Sequence, residues 1–213
     1  MVPFLVIHYF WSRAKIFDSN TAYLSARLHQ MGASVIQKKT VEDDCRKICD
    51  AILSCSHTDM LVTTGGISVG EKDLLETALG DLDAEIIFHG VAIKPGMPTL
   101  LAKYGDTMTL GLSGNPFAAA VPLELIGRPM LSKMTCDLAL GLRRSTVTMG
   151  VPYEKASRVH RFLRGRSDGH TVWIPEQQAN GQMRSMVGAN CLLEIPAGTE
   201  RILQGEPVSV IWM

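Results

Sequence analysis

The sequence predicts an α/β chain built on a three-layer, mainly parallel sheet and followed by a small C-terminal β domain. Two patterns carry this prediction. Up to Arg144, short apolar runs alternate with segments of helical periodicity; from Ser145 onward, short alternating runs are separated by glycine-rich or polar turns. A length of 213 residues at 46% hydrophobic content suffices for one large core and one small one. The expected domain limits are 1–142 and 143–213.

Taken in order, MVPFLVIHYFW reads as a first buried strand, too short to span a bilayer and without the basic start and cleavage site of a secretory signal. Asp18-Ser-Asn20 offers capping side chains, Leu24, Leu28 and Met31 recur at helical spacing, and Gly32 supplies a stop. Ala33–Gln37 reads as a strand, and Cys45, Ile48, Cys49, Ile52 and Leu53 as the buried face of the next helix. The strand Asp59–Thr63 runs into TTGGISVGEKD, residues 63–73, and a helix continues from Leu74 to Leu79. Glu85–Phe88 is extended, and Thr107–Leu112 is an apolar strand ending at Ser113-Gly-Asn-Pro116. Pro116 suits the first turn of a helix running towards Lys133, which Pro122 should bend or break. In the second part, Thr146–Met149 and Val208–Trp212 are expected strands.

Twenty-one basic and 21 acidic residues balance, so no global field draws the chain to nucleic acid or to an anionic membrane. Any anion site is therefore local. Five cysteines without a CxxC pair argue against a disulfide framework or zinc knuckle and fit a reducing cytoplasm. Cys45 and Cys49 lie four apart on a helix, with no histidine nearby, and are read as core. His8, His29, His57, His89, His160 and His170 show no ligand spacing and no serine or cysteine partner, which argues against a catalytic triad or a zinc hydrolase.

In parallel sheets, ligands bind beyond the carboxyl ends of the strands, where three loops are candidates: 18–20, 63–73 and 112–116. Gly65 and Gly66 can present bare amides, and Thr63, Thr64 and Ser68 add hydroxyls, a set suited to phosphate. The competing reading is a turn whose glycines serve only positive backbone angles. The loop is neither GxGxxG nor a lysine-bearing P-loop. Asp73 is either a helix cap or, with Asp18, a magnesium ligand. Lys94 precedes a turn stiffened by Pro95 and Pro98, which makes it a positioned anion contact or a solvated charge. Ser113-Gly-Asn-Pro116 is a ligand loop or simply good helix initiation by an asparagine cap.

Four stretches in this order, Ile16-Phe-Asp-Ser-Asn20, Thr64-Gly-Gly-Ile-Ser-Val-Gly70 with Asp73, Phe88-His-Gly-Val-Ala-Ile-Lys-Pro-Gly96 and Gly111-Leu-Ser-Gly-Asn-Pro116, resemble the molybdopterin molybdenumtransferase family, the MoeA and gephyrin E-domain group. Asn180-Gly-Gln-Met-Arg-Ser-Met186, Ala189-Asn190 and Ile195-Pro-Ala-Gly198 are similar to its last β domain, so the resemblance covers about residues 16 to 213. It implies a molybdopterin-binding, MogA-like fold. The implied activity is magnesium-assisted insertion of molybdate into adenylylated molybdopterin, with release of AMP, in a homodimer.

The resemblance assigns catalysis to Asp18, Asp73 and Lys94, and magnesium to Asp18 and Asp73. It assigns ligand contacts to Ser19, Asn20, Thr64, Gly65, Gly66, Ser68, Gly70, Pro95, Gly96, Ser113, Gly114, Asn115, Pro116 and Ser185. The sequence also departs from the family's pattern. His8-Tyr-Phe-Trp-Ser-Arg13 stands where members carry Thr-Gly-Asp-Glu-Leu, and Gly90, Met97 and Ser113 replace common lysines and a proline. Members have two further domains before this region that complete the cleft across the dimer. The expectation is therefore intact ligand loops with weak independent turnover. A non-catalytic pterin-binding module, an adenylyltransferase of the same fold and an interaction scaffold stand as alternatives; the appended β domain speaks against the adenylyltransferase.

Overall fold

The computed structural model describes residues 3–10 by their backbone and residues 18–67, 73–175, 181 and 186–213 in full. Strands and helices alternate as β1 (Pro3–Phe10), α1 (Ser19–Gln30), β2 (Ser34–Glu42), α2 (Cys45–Leu53), β3 (Met60–Thr64) and α3 (Leu74–Asp81). The helices start by one device: Asp18, Asp44 and Asp73 each accept the backbone N–H three residues on, from Thr21, Lys47 and Glu76. Gly32, at φ +81°, ends α1 as expected.

β4 (Glu85–His89), β5 (Ile93–Lys94), β6 (Leu100–Tyr104) and β7 (Thr107–Leu112) follow. The first sheet has the order β2-β1-β3-β7-β6-β4, in which the pairings from β2 to β7 are parallel and those of β6 with β7 and β4 antiparallel. The expected mainly parallel sheet is thus a mixed one. Tyr104 pairs directly with Thr107, so the Gly105-Asp106 turn folds β6 back on β7 as a hairpin and reverses its direction.

All five residues of β3 are buried, because helices cover both faces of the sheet. Leu61 joins the core under α2 and α3, whereas Met60 and Val62 join the core under α1. Two expectations change in detail. β2 runs on to Glu42 through a mostly exposed edge, and Leu53, at the end of α2, is 42% exposed rather than buried.

The helical stretch after β7 divides into α4 (Pro116–Pro122), a π-helical turn (Leu123–Gly127) and α5 (Arg128–Thr135). Pro122 has no N–H for the Ala118 carbonyl, and the widened turn begins directly after it. Inside that turn Glu124 is fully buried; both its oxygens accept from Arg27, and one lies 3.5 Å from Arg128 Nη1. Arg128 also donates to the Leu140 carbonyl at 2.8 Å and the Trp212 carbonyl at 2.7 Å, tying the helices to the last strand.

The second sheet contains β8 (Arg143–Met149), β9 (His160–Ser167), β10 (Thr171–Trp173), β11 (Cys191–Ile195) and β12 (Pro207–Trp212). Its order is β10-β8-β12-β11-β9, and a β10–β9 pairing closes it into a small barrel. Val147, Leu163, Leu193 and Val210 fill the barrel, while Phe162, Leu192 and Ile211 pack outward against Phe117, Ala120 and Val121 of α4. β5 attaches to β9 in parallel, with Lys94 opposite Arg161. Among the described residues, no helix is long and apolar enough to cross a membrane.

Glu124→Ala should cost about 3–5 kcal/mol, because it strands two partly buried guanidinium groups. Urea denaturation checks this; a loss below about 1 kcal/mol, the size of a surface pair, contradicts it.

Candidate functional site

The three predicted loops meet at one sheet edge. Asn20 Nδ2 donates to the Gly114 carbonyl at 2.8 Å, and the Gly65 N–H donates to the Leu112 carbonyl at 2.9 Å. Gly114 lies against Gly65 so closely that a Cβ there would sit 3.5 Å from Gly65 Cα.

This convergence assigns several residues to structure. Asn20 is buried and pins the Gly114 loop, and the Gly65 amide is spent on the sheet edge rather than left bare. Gly65 and Gly66 both have positive φ, at +83° and +70°, so the turn reading explains them locally. Thr63 and Thr64 are fully buried. Asn115 stands at the N-cap of α4 but makes no side-chain capping bond; instead Ser113 Oγ accepts its N–H at 3.2 Å. Its exposed amide therefore stays available at the rim. Ser19 lies half-buried in the first turn of α1, and Pro116 opens α4. Ser68, Gly70 and Ser185 lie outside the described residues.

Asp73 has two neighbours the sequence did not reveal. Its Oδ1 caps α3 by accepting the Glu76 N–H at 3.1 Å, while its Oδ2 lies 3.2 Å from His89 Nε2. His89 Nδ1 is 2.9 Å from Glu76 Oε2 on the other side of the ring. Burial pushes the Asp73 carboxyl above its usual range, with the Glu76 N–H and His89 pulling it back. The donor atoms of Asp73, Glu76 and His89 lie within 4.8 Å of one another; Asp18 belongs to neither of the two such clusters among the described residues. The other cluster is Cys45, Cys49 and Asp81. Burial and Asp81 push the Cys45 thiol up to about 11, so it stays protonated and lies 3.4 Å from the Asp81 carboxylate.

Lys94 sits apart from that cluster, on the second sheet. It follows from the β5–β9 register that Lys94 and Arg161 share the wall of a cleft of about 510 Å³ between α4 and the barrel. Three cations, Lys94, Lys155 and Arg161, line it against one carboxylate, Glu154, with Tyr153 and Phe117 adding aromatic surface. Arg161 Nε is 3.4 Å from the buried Ser157 hydroxyl, which helps hold the guanidinium in place. The Lys94–Pro95 bond is cis; Pro95 and Gly96 are buried, and a Cβ on Gly96 would meet Pro122 Cγ at 2.5 Å. Pro95 and Gly96 thus seat Lys94 by close backbone approach. Sequence reasoning missed Arg161, Lys155 and Tyr153; the run Ser157-Arg-Val-His-Arg161 is a local basic signal that could have pointed to them.

The α/β sheet, with three loops meeting at one edge, is joined to the β-barrel across a cleft lined by three cations and one carboxylate, a setting suited to an anionic small molecule. Residues 6–133 match the family described as a probable molybdopterin binding domain, and residues 146–213 match the MoeA C-terminal region, domain IV. The chain belongs to the molybdopterin-binding domain family and carries a MoeA C-terminal region. It is 30% identical over 202 residues to a molybdopterin molybdenumtransferase of Staphylococcus aureus strain COL, covering 92% of this chain and 48% of that relative. The chain therefore spans about half the length of the curated relatives it matches.

A MoeA structure from Pyrococcus horikosii superposes with a TM-score of 0.81 at 23% identity, over 99% of this chain and 54% of that one. A molybdenum cofactor biosynthesis protein from Pyrococcus furiosus gives 0.74 at 19%, over 100% and 68%. At these identities the two structures speak for the fold.

Asp73→Asn keeps a capping oxygen and removes an ionisation that folding disfavours. The folded carboxyl titrates above its unfolded value of about 3.9, so its contribution is full below that pH and is lost as pH rises through the folded value. Thermal melts of chelator-treated protein should show the parent losing ground to Asp73→Asn over that window. Asp73→Ala should lose about 1 kcal/mol throughout, from the missing cap. Parallel pH profiles for parent and Asp73→Asn contradict this.

Proposed function

We propose that this chain performs the metal-insertion step of molybdenum cofactor biosynthesis, placing molybdate in the dithiolene of adenylylated molybdopterin with release of AMP. The observation that carries the reading is the β5–β9 register, which sets Lys94 beside Arg161 in a cleft lined by three cations and one carboxylate. Two adjacent cations suit a dianion better than a neutral ligand. The relatives' name, molybdopterin molybdenumtransferase, supports the same assignment.

Lys94 and Arg161 hold molybdate at the cleft wall. Two dithiol sulfurs then replace one molybdate oxygen, which leaves as water with the two thiol protons. Water adds to phosphorus at the phosphoanhydride, and AMP leaves. Asn115, at the rim, offers an amide for the pterin or its phosphate. The resemblance implies magnesium for the hydrolytic step. Asp73 Oδ2, buried and without a hydrogen bond among the described residues, fits a carboxylate ligand for a cation, and Asp18 is the second acid of that reading. A bound divalent ion would neutralise phosphate charge. The same reading takes 1–142 and 143–213 as two domains and the working form as a cytoplasmic homodimer without nucleic acid.

Incubating the purified chain with adenylylated molybdopterin should release AMP only when molybdate is added. Tight pterin binding without AMP release contradicts the enzyme reading in favour of a binding module. Arg161→Gln should weaken molybdate binding by about tenfold or more, the loss of a charge-assisted contact, in equilibrium dialysis. Its melting temperature should stay close to the parent's, because Arg161 lies at the cleft surface; unchanged affinity contradicts the assignment.

A further inference from the structure

The Asp73 carboxylate is divided between two tasks. Oδ1 caps α3, and Oδ2 is buried with no hydrogen bond among the described residues. His89 Nε2, likewise buried and unbonded, faces it at 3.2 Å, outside hydrogen-bond alignment. Behind the ring, Glu76 Oε2 sits 2.9 Å from Nδ1. A carboxylate there holds the ring proton on Nδ1 and turns the Nε2 lone pair towards Oδ2. With the ring neutral, two acceptors at that separation repel one another unless a cation engages both.

We propose that Asp73 Oδ2 and His89 Nε2 are adjacent ligands of a first-row divalent ion such as Mn2+, with Glu76 as the positioning residue that sets the histidine tautomer. Ligands bound at about 2.0–2.2 Å and set between right and tetrahedral angles lie about 2.8–3.6 Å apart, which brackets the observed 3.2 Å. A carboxylate backing a metal-bound imidazole is the usual outer support of such a site. The nitrogen donor shifts preference away from magnesium, which takes oxygen ligands, towards first-row transition ions, among which Mn2+ serves as the spectroscopic probe. Side-chain exposure of 10% for Asp73 and 21% for His89 leaves an open edge for water or a phosphate oxygen, with Glu76, at 45%, outside. The ion's work in phosphoanhydride hydrolysis rests on the molybdenum-insertion reading; its binding rests on these three side chains alone.

The test uses the chelator-treated full chain with Mn2+ alone, without pterin or molybdate, followed by electron paramagnetic resonance. One bound Mn2+ is expected, with spin-echo modulation from a single imidazole nitrogen. His89→Gln should abolish that modulation, and Glu76→Gln should weaken binding by about 10–100-fold. Missing nitrogen modulation in the parent overturns the site and leaves a plain histidine–aspartate ion pair, whatever the variants do. Modulation that survives in folded His89→Gln overturns it too. Unchanged affinity in Glu76→Gln removes the positioning role. A chain with intact modulation and no molybdate-dependent AMP release sinks the functional reading while the ion site stands.

Discussion

The contact of the barrel's outer face with α4 sets every functional distance across the cleft. Strands of a small barrel ordinarily turn polar residues outward, but here Phe162, Leu192 and Ile211 face out and meet Phe117, Ala120 and Val121. Each large side chain buried at this joint is worth about 1.5–3 kcal/mol, so the barrel is docked rather than tethered. Arg164, fully buried, lies over the Phe117 ring at 4.0 Å and closes the same joint. Arg128 reaches from α5 to the Trp212 carbonyl and adds a polar clamp. Beside this joint the two-residue strand β5 pairs with β9 and holds Lys94 next to Arg161.

Asp73 shows how one side chain satisfies two readings that looked like rivals. As a cap it needs one oxygen, and a carboxylate has two. The cap also aims the group, since Oδ1 bonded to the Glu76 N–H leaves Oδ2 directed at His89. Glu76 serves twice as well, with its backbone as the capped group and its side chain against Nδ1. Helix start and candidate ion site are thus one local construction, in which a change to either alters the other.

Much of this was legible in the sequence, because it is local. Asp18 and Asp73 as caps, Gly32 as a stop and Pro122 as a break all follow from neighbours within a turn. Three of the four family stretches pointed to loops that do converge, and the fourth, 88–96, to the strand that carries Lys94 to the barrel. What stayed hidden depends on strand direction and on distant pairing. β6 precedes a Gly-Asp turn, a two-residue hairpin signal between apolar runs that the helix-and-strand alternation obscured, so the antiparallel half of the sheet went unread. His89 stands 13 residues beyond Glu76, and only the packing of β4 beside α3 unites them. Arg161 lies 67 residues beyond Lys94 and meets it through a two-residue pairing. The glycine loop misled in part, since the Gly65 amide completes the sheet edge instead of facing a ligand.

On the proposed function, an oxyanion binds where the two sheets meet, between Lys94 and Arg161. Crystals of the chain soaked in tungstate, a heavier stand-in of the same charge and shape as molybdate, locate that anion directly by anomalous scattering. A peak is expected between the Lys94 ammonium and the Arg161 guanidinium, in the cleft beside Tyr153 and Phe117. A peak confined to the loops around Gly65 and Gly114, or none in the cleft at saturating tungstate, contradicts it.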